Sequence, residues 1–305
     1  MDNFEKAKLN PGKTFWKKGA CSHTMFHLLN YEFDNVKPKE EKAADILAGG
    51  IAMKGHQCGM LWGAALAVGA ESFRRYNDRK EAIEAEAASS KEVIATESLL
   101  YISEATSTAI NASKYLIESF HHRAGTVNCR DITKVDWEKK SHFIFFLMKT
   151  VAQGFIFSPC FRFIDKWTPE AIQAANKGLL EITEQNKPCL SCASEVLRKM
   201  GASDEASITV AGFAGGIGLS GNGCGALSAV IWYKMLEWGE NNPGKTPSMF
   251  KNPVIKGILQ TFYNQTGSEM LCHKICGRKF ASVNEHTEYL KNGGCRNLIE
   301  ALSNT

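Results

Sequence analysis

The chain has 305 residues, 44% of them apolar and 22% charged. That length and composition can bury a sizeable core, which excludes disorder as the main state. Lys and Arg total 36 against 32 Asp and Glu, a formal charge of +4, too small a surplus to argue for nucleic acid or an anionic membrane as the main partner.

Ten cysteines and only eight prolines stand out, and scarce proline favours helices. Met1 to Lys18 mixes acids among bases and holds no apolar run, so it does not read as a signal peptide. The longest apolar stretch, Met60 to Ala70, is too short to span a bilayer. A cytoplasmic protein without a membrane partner is therefore expected. In a reducing compartment, ten cysteines serve as thiols, metal ligands or redox centres rather than as a disulfide framework.

The elements in chain order read as helix. Residues 39–51 begin acidic and turn apolar, and 58–77 form a long run of small and apolar residues closing on Arg74, Arg75 and Arg79. From 91 to 120, Leu99, Ile102, Ala109, Ile110, Leu116 and Phe120 recur at three-to-four-residue steps, the helical period. Thr168 before Pro169 predicts a helix start, with Thr168 as N-cap and Pro169 at the first position. The run 192–200 ends before Gly201, a C-cap signal. Phe143 to Phe146 is the single strand candidate, and its neighbours read as helix. The fold class is all-α.

An internal repeat organises the chain. Ala48 to Gly59 aligns without a gap on Ala214 to Gly225, with seven of twelve positions identical. Each copy has a cysteine upstream that opens a helix, Cys21 or Cys192, and an apolar helix after Cys58-Gly59 or Cys224-Gly225. Downstream come Gly125 to Cys129 and Gly267 to Cys272, and then a last cysteine, Cys160 or Cys295. Two tandem helical repeats, 1–186 and 187–305, are expected, with the boundary at Asn186-Lys187-Pro188 and a pseudo-twofold relation between them.

The order Cys, Gly-x-x-Cys-Gly with a small-residue helix, a Gly-Ser/Thr-led Cys and a final Cys resembles the C_GCAxxG_C_C family of redox-active proteins. Cys224-Gly225-Ala226 follows the pattern closely; Cys58-Gly59-Met60 has Met in place of Ala, and Cys189 and Cys276 are additional. The resemblance implies a helical fold and redox activity, and relatives holding iron–sulfur clusters.

Elementary chemistry runs beside that resemblance. A cysteine at a helix start has its thiolate favoured by the dipole and the free N–H groups, which makes Cys21, Cys58, Cys192 and Cys224 plausible ligands or nucleophiles. Glycines at 49, 50, 55, 59, 215, 216, 221, 223 and 225 let backbone approach a bulky centre, with Gly55, Gly59, Gly221 and Gly225 the cofactor-facing candidates. The ligand set drawn from this reading is Cys21, Cys58, Cys129 and Cys160 in the first repeat and Cys192, Cys224, Cys272 and Cys295 in the second, with Cys189 and Cys276 as further ligands or a dithiol. Four cysteines per repeat match the ligand count of one iron–sulfur cluster. Against this stands the bland reading that free cysteine is among the most buried residue types.

Other patterns carry less. Gly216-x-Gly218-x-x-Gly221 matches a dinucleotide fingerprint as a string but lacks a strand before it. Cys189-x-x-Cys192 lacks the βαβ setting of thioredoxin-like use, and Cys272-x-x-x-Cys276 is not a haem-attachment motif. His56, His121, His122 and His273 lie near cysteines in sequence, but Asn222 replaces His56 in the second copy, so a shared ligand role is not expected. Met25, Met53, Met60 and Met148 read as core filling, and the alternating charges from Glu71 to Glu86 as a solvated face.

Three function classes remain: an iron–sulfur protein moving electrons or reducing a small substrate, a metal-free thiol–disulfide redox protein, and a helical scaffold with structural zinc. Zinc sites usually draw on short paired knuckles, unlike cysteines this dispersed. A redox partner of unknown kind and a homodimer are both compatible with the chain.

Overall fold

The structure is a computed structural model and describes residues 10–86, 91–152, 158–181, 188–250 and 252–305. Among these residues there are helices, turns and two isolated bridges, with no strand. The Asn186-Lys187 part of the expected repeat boundary lies outside them.

The first half contains α1 (Pro11–Lys18), α2 (Cys21–Glu32), α3 (Pro38–Ala43), α4 (Gly59–Glu86), α5 (Lys91–Ala124), α6 (Cys129–Thr133), α7 (Lys140–Ala152) and α8 (Pro159–Leu180). The second contains α9 (Cys192–Lys199), α10 (Asp204–Thr209), α11 (Gly225–Asn241), α12 (Pro253–Thr266), α13 (Cys272–Ile275), α14 (Val283–Lys291) and α15 (Arg296–Ser303). Local rules start many of them. Asn10 Oδ1 accepts the Lys13 N–H at 2.7 Å ahead of Pro11, and Asn252 caps α12 in the same way ahead of Pro253. The Gly201 C-cap signal holds, with α9 closing at Lys199 and Gly201 left-handed at φ +80°.

The expected helix start at Thr168 is wrong. Pro169 lies inside α8, which begins at Pro159 instead. Ile164 and Trp167 are fully buried, and Trp167 meets Phe120 edge-on at 4.8 Å. Thr168 Oγ1 donates to the Ile164 carbonyl at 2.6 Å rather than capping. Packing on both sides of the proline carries the helix through it. Phe143 to Phe146 is helical, within α7. Met25 and Met60 are core as expected, and Met53 is buried beside Cys129. Met148 is not core: it is exposed on α7 with Phe145 and Val151.

The halves share one core. Trp62 of α4 lies edge-on to Phe213 of the second half at 4.7 Å, and Trp232 Nε1 of α11 donates to the Glu40 carbonyl at 3.0 Å. The main buried cluster draws on both halves, from Phe15 to Leu302, and smaller ones flank it. The helices of the two halves therefore hold each other in place.

A buried carboxylate ties the N-terminal helices together. Glu41 accepts hydrogen bonds from His27 Nδ1 at 2.8 Å, Asn30 Nδ2 at 3.0 Å and the Lys37 N–H at 3.0 Å. Burial works to raise its pKa, but the hydrogen bonds from His27, Asn30 and Lys37 win and hold it below the usual carboxylate range. A carboxyl whose folded pKa is depressed contributes stability that is present above its unfolded value, about 4.3, and is lost as pH falls through the folded one. Glu41→Gln should flatten that acid loss, read as denaturation midpoints of the two proteins between neutral and acid pH.

Candidate cysteine centres

The glycine motifs of the two halves adopt one backbone conformation. Gly49, Gly50, Ile51, Ala52, Met53 and Gly55 all have positive φ, and so do Gly215, Gly216, Ile217, Gly218, Leu219 and Gly221, position by position. The hydrogen bonds repeat as well: the Gly55 N–H donates to the Gly49 carbonyl at 2.8 Å and the Gly221 N–H to the Gly215 carbonyl at 2.8 Å. Glycine is required at Gly50, where a Cβ would lie 2.4 Å from the His56 carbonyl oxygen.

Each motif loop is then pinned to the segment carrying the next cysteine. Cys58 N–H donates to Val127 O at 2.8 Å, and Cys129 N–H returns to His56 O at 2.7 Å. In the second copy Cys224 N–H donates to Met270 O at 3.0 Å, and Cys272 N–H to Asn222 O at 2.6 Å. These pairs form the two isolated bridges, Gln57 with Asn128 and Gly223 with Leu271. They set Cys58 beside Cys129 and Cys224 beside Cys272.

Every one of the eight repeat cysteines sits at a helix N-terminus. Cys21, Cys129, Cys192 and Cys272 are the first residues of α2, α6, α9 and α13. Cys58 directly precedes α4, Cys224 and Cys295 are the N-caps of α11 and α15, and Cys160 follows Pro159 at the start of α8. Free N–H groups and the positive end of the helix dipole favour negative charge there. Backbone N–H groups of these helix starts and of the glycine turns reach several sulfurs. Backbone N–H groups of Gly49 and Ser22 serve Cys21, those of Gly215 and Ala193 serve Cys192, and those of Leu227 and Ala226 serve Cys224.

In the first half, Cys58 is hydrogen-bonded to Cys21, which holds the Cys21 thiol below its ordinary range and pushes Cys58 well above it. Burial, and then the charges of Cys160 and Cys21, raise Cys129. Burial and then Cys21 raise Cys160 to about 12. In the second half, burial raises Cys192 to about 12 and Cys224 to about 11, each with a contribution from Cys276. Five sulfurs gather there: Cys192, Cys224, Cys272, Cys276 and Cys295 line one small cavity with His286 and Tyr289. Cys276 lies 3.9 Å from Cys272 and 3.7 Å from Cys295, and these two thiols, with the Tyr289 hydroxyl, favour its thiolate. Burial and mutual repulsion oppose ionising these thiols together, so their thiolate forms suit a centre that supplies positive charge.

The structure thus brings the eight repeat cysteines together four by four and adds Cys276 to the second group. Cys189 does not line the cavity of that group, though it packs in one buried cluster with Cys272. The Cys189 N–H is held by Ser103 Oγ at 2.7 Å, and burial raises its thiol to about 12, with Thr287 beside it. Of the candidate glycines, Gly59 borders a centre, since a Cβ there would lie 2.7 Å from the Cys21 sulfur. Gly225 lines the second cavity and packs on the Phe213 carbonyl. Gly55 and Gly221 instead close the motif turns, against Arg130 and against His273 and Lys279. His273 Nδ1 is occupied by the Gly221 carbonyl at 2.7 Å. His286 and Tyr289, three residues apart on α14, were not singled out from the sequence. The histidine there, pushed by burial to about 4, is neutral near pH 7. Among the described residues, no three His, Cys, Asp or Glu side chains converge on a point that would hold one metal ion, and no helix is long and apolar enough to cross a membrane.

An all-α chain with a repeated glycine turn and two buried cysteine groups is a duplicated cysteine-motif protein. The family model C_GCAxxG_C_C, described as "Putative redox-active protein", matches residues 20–164 and again 189–304. The chain belongs to this family, as two tandem copies, and its role is a redox one. No curated protein and no solved structure matches it.

Proposed function

We propose that each repeat holds an iron–sulfur cluster, through Cys21, Cys58, Cys129 and Cys160 in the first and Cys192, Cys224, Cys272 and Cys295 in the second. The protein then serves electron transfer or the reduction of a small substrate. The observation that carries this reading is the gathering of four thiols per repeat, each at a helix N-terminus. The donor set fits: thiolates are the usual protein ligands of such clusters, and N–H groups aimed at sulfur are a recognised means of tuning them. A bound cluster supplies one-electron transfer. The chain's own contribution is to hold the sulfurs apart on separate helices, to offset their negative charge with backbone N–H groups, and to exclude water by burial. Separate helices distribute ligands around a bulky centre more readily than around one small ion, which favours a cluster over zinc.

A second reading has its own observation. Cys276 touches both Cys272 and Cys295, an arrangement that favours disulfide formation in a metal-free second repeat. One experiment separates the readings: iron, zinc and acid-labile sulfide are measured in protein purified without oxygen. Iron and sulfide in comparable amounts with visible absorbance are expected. Metal-free protein that reversibly loses two thiols would instead favour the dithiol, and stoichiometric zinc would favour the scaffold.

A further inference from the structure

A cleft of about 380 Å³ lies between the halves, with Ala52, Met53, Lys54, Trp137 and Glu138 on one wall and α12 with Phe250 on the other. Its size falls within the range of small-molecule sites, and it occupies an inter-repeat seam where such sites concentrate. Two residues of the first-half wall, Ala52 and Met53, belong to a stretch of costly backbone. Ile51, Ala52 and Met53 are three consecutive non-glycine residues in the left-handed region, at φ +62°, +49° and +62°. In the second copy the middle position of that turn is Gly218. Left-handed conformation is costly for a residue with a side chain, and strain of this kind clusters at functional sites.

The lining selects a ligand class. Trp137 and Phe250 supply aromatic surface, with Tyr263 on α12. Lys54 is paired with Glu138 at 2.6 Å, and Lys256 adds a further ammonium. The wall is thus cationic by one charge, and the Tyr263 hydroxyl lies within reach of Lys54. A ring stacked on aromatic groups with an acid held by a lysine satisfies both features.

The cleft also adjoins the first cysteine centre. Trp137 and Met53 are buried in one cluster with Cys129. The buried Trp137 Nε1 has no conventional hydrogen-bond partner, and it favours the charged form of the Cys129 sulfur. One side chain therefore separates the cleft from a cysteine of the first centre.

We propose that this cleft binds a small aromatic or heteroaromatic monoanion, its ring against Trp137 and Phe250 and its acid group at Lys256. Together with the proposed function, this is the substrate class of the first centre; binding itself is independent of what the cysteines hold. The test is calorimetric titration of the full chain with 2-naphthoate, on protein with its native metal content and on protein stripped of metal. Saturable binding at one site per chain is expected in both, weakened at least about tenfold, equivalent to 1.4 kcal/mol, by Lys256→Gln and by Trp137→Leu. Cyclohexanecarboxylate, an anion without an aromatic ring, should bind at least about tenfold more weakly. Lys256 is exposed, so its variant tests the site without threatening the fold. Absence of saturable naphthoate binding, or binding unchanged in Lys256→Gln, would overturn the assignment. Binding in protein that proves to contain no iron would leave it standing while removing the cluster.

Discussion

Replacing Cys58 with serine is expected to empty the first cysteine centre and spare the second, and Cys224→Ser to do the reverse. Cys58 is fixed from both sides: its N–H is bonded to Val127 O, its neighbour Gln57 is bridged to Asn128, and Gly59 opens α4 immediately after it. Its sulfur touches Cys21 and interacts with Cys129 and Cys160. It therefore stands at the meeting point of the group, and no nearby thiol is free to replace it. The second centre differs, because Cys276 already lies among its sulfurs. Cys224→Ser in a Cys276→Ser background is the stricter variant there, since it removes the spare thiol. The measurement is iron and sulfide content with the visible spectrum of each variant. Full metal content in both single variants and in the double variant would refute the ligand assignment.

Trp62→Ala should produce a large loss of stability. Trp62 is fully buried, stands edge-on to Phe213 across the two halves, and donates Nε1–H to the Gln57 carbonyl at 3.0 Å. Truncating a buried tryptophan costs about 3–5 kcal/mol through lost transfer energy and the cavity left behind. Trp62→Phe keeps a ring against Phe213 but leaves the Gln57 carbonyl without this donor, at about 1–3 kcal/mol. Denaturant midpoints of the three proteins should fall in the order wild type, Phe, Ala. The Ala variant should also lose its centres more readily on dilution into chelator, because Gln57 is adjacent to Cys58. Equal midpoints for the three would contradict this account of the shared core.

The repeat was legible in the sequence because glycine positions that need positive φ cannot drift without strain, so the spacing of Gly49, Gly50 and Gly55 survives in both copies. The long helices were legible from their period, as in α5, where Ala109, Ile110, Leu116 and Phe120 are all buried. The N-terminal positions of Cys129 and Cys272 were not, since α6 and α13 have only five and four residues and so carry no period to detect. Pro169 misled because a local start signal was overruled by packing around Trp167, which carries α8 through the proline. The left-handed Ile51 and Ala52 ran against local preference; hydrogen bonds of the turn hold them, such as the Ala52 N–H to the Ile46 carbonyl at 2.9 Å. His286, Tyr289 and Trp137 belong to the sites through tertiary approach alone. The nearest sequence hint for the first two was their place between Cys276 and Cys295.

One substitution within the repeat has a consequence for how such a chain can be assembled. Gln57 occupies in the first motif the position of Gly223 in the second, and the two meet. Gln57 Oε1 accepts the Gly223 N–H at 3.1 Å while its Nε2 donates to the Gly216 carbonyl at 3.2 Å. A Cβ on Gly223 would fall 2.7 Å from Ile51 and 3.0 Å from Trp62, so that face has no room for a second glutamine. Two first halves set together in this way would collide at this point; two second halves would leave a gap there, with the Gly223 N–H unserved. The halves fit as plug and socket. At this contact an unlike pair is complementary where a like pair is not, and the tandem chain delivers the unlike pair in fixed one-to-one proportion.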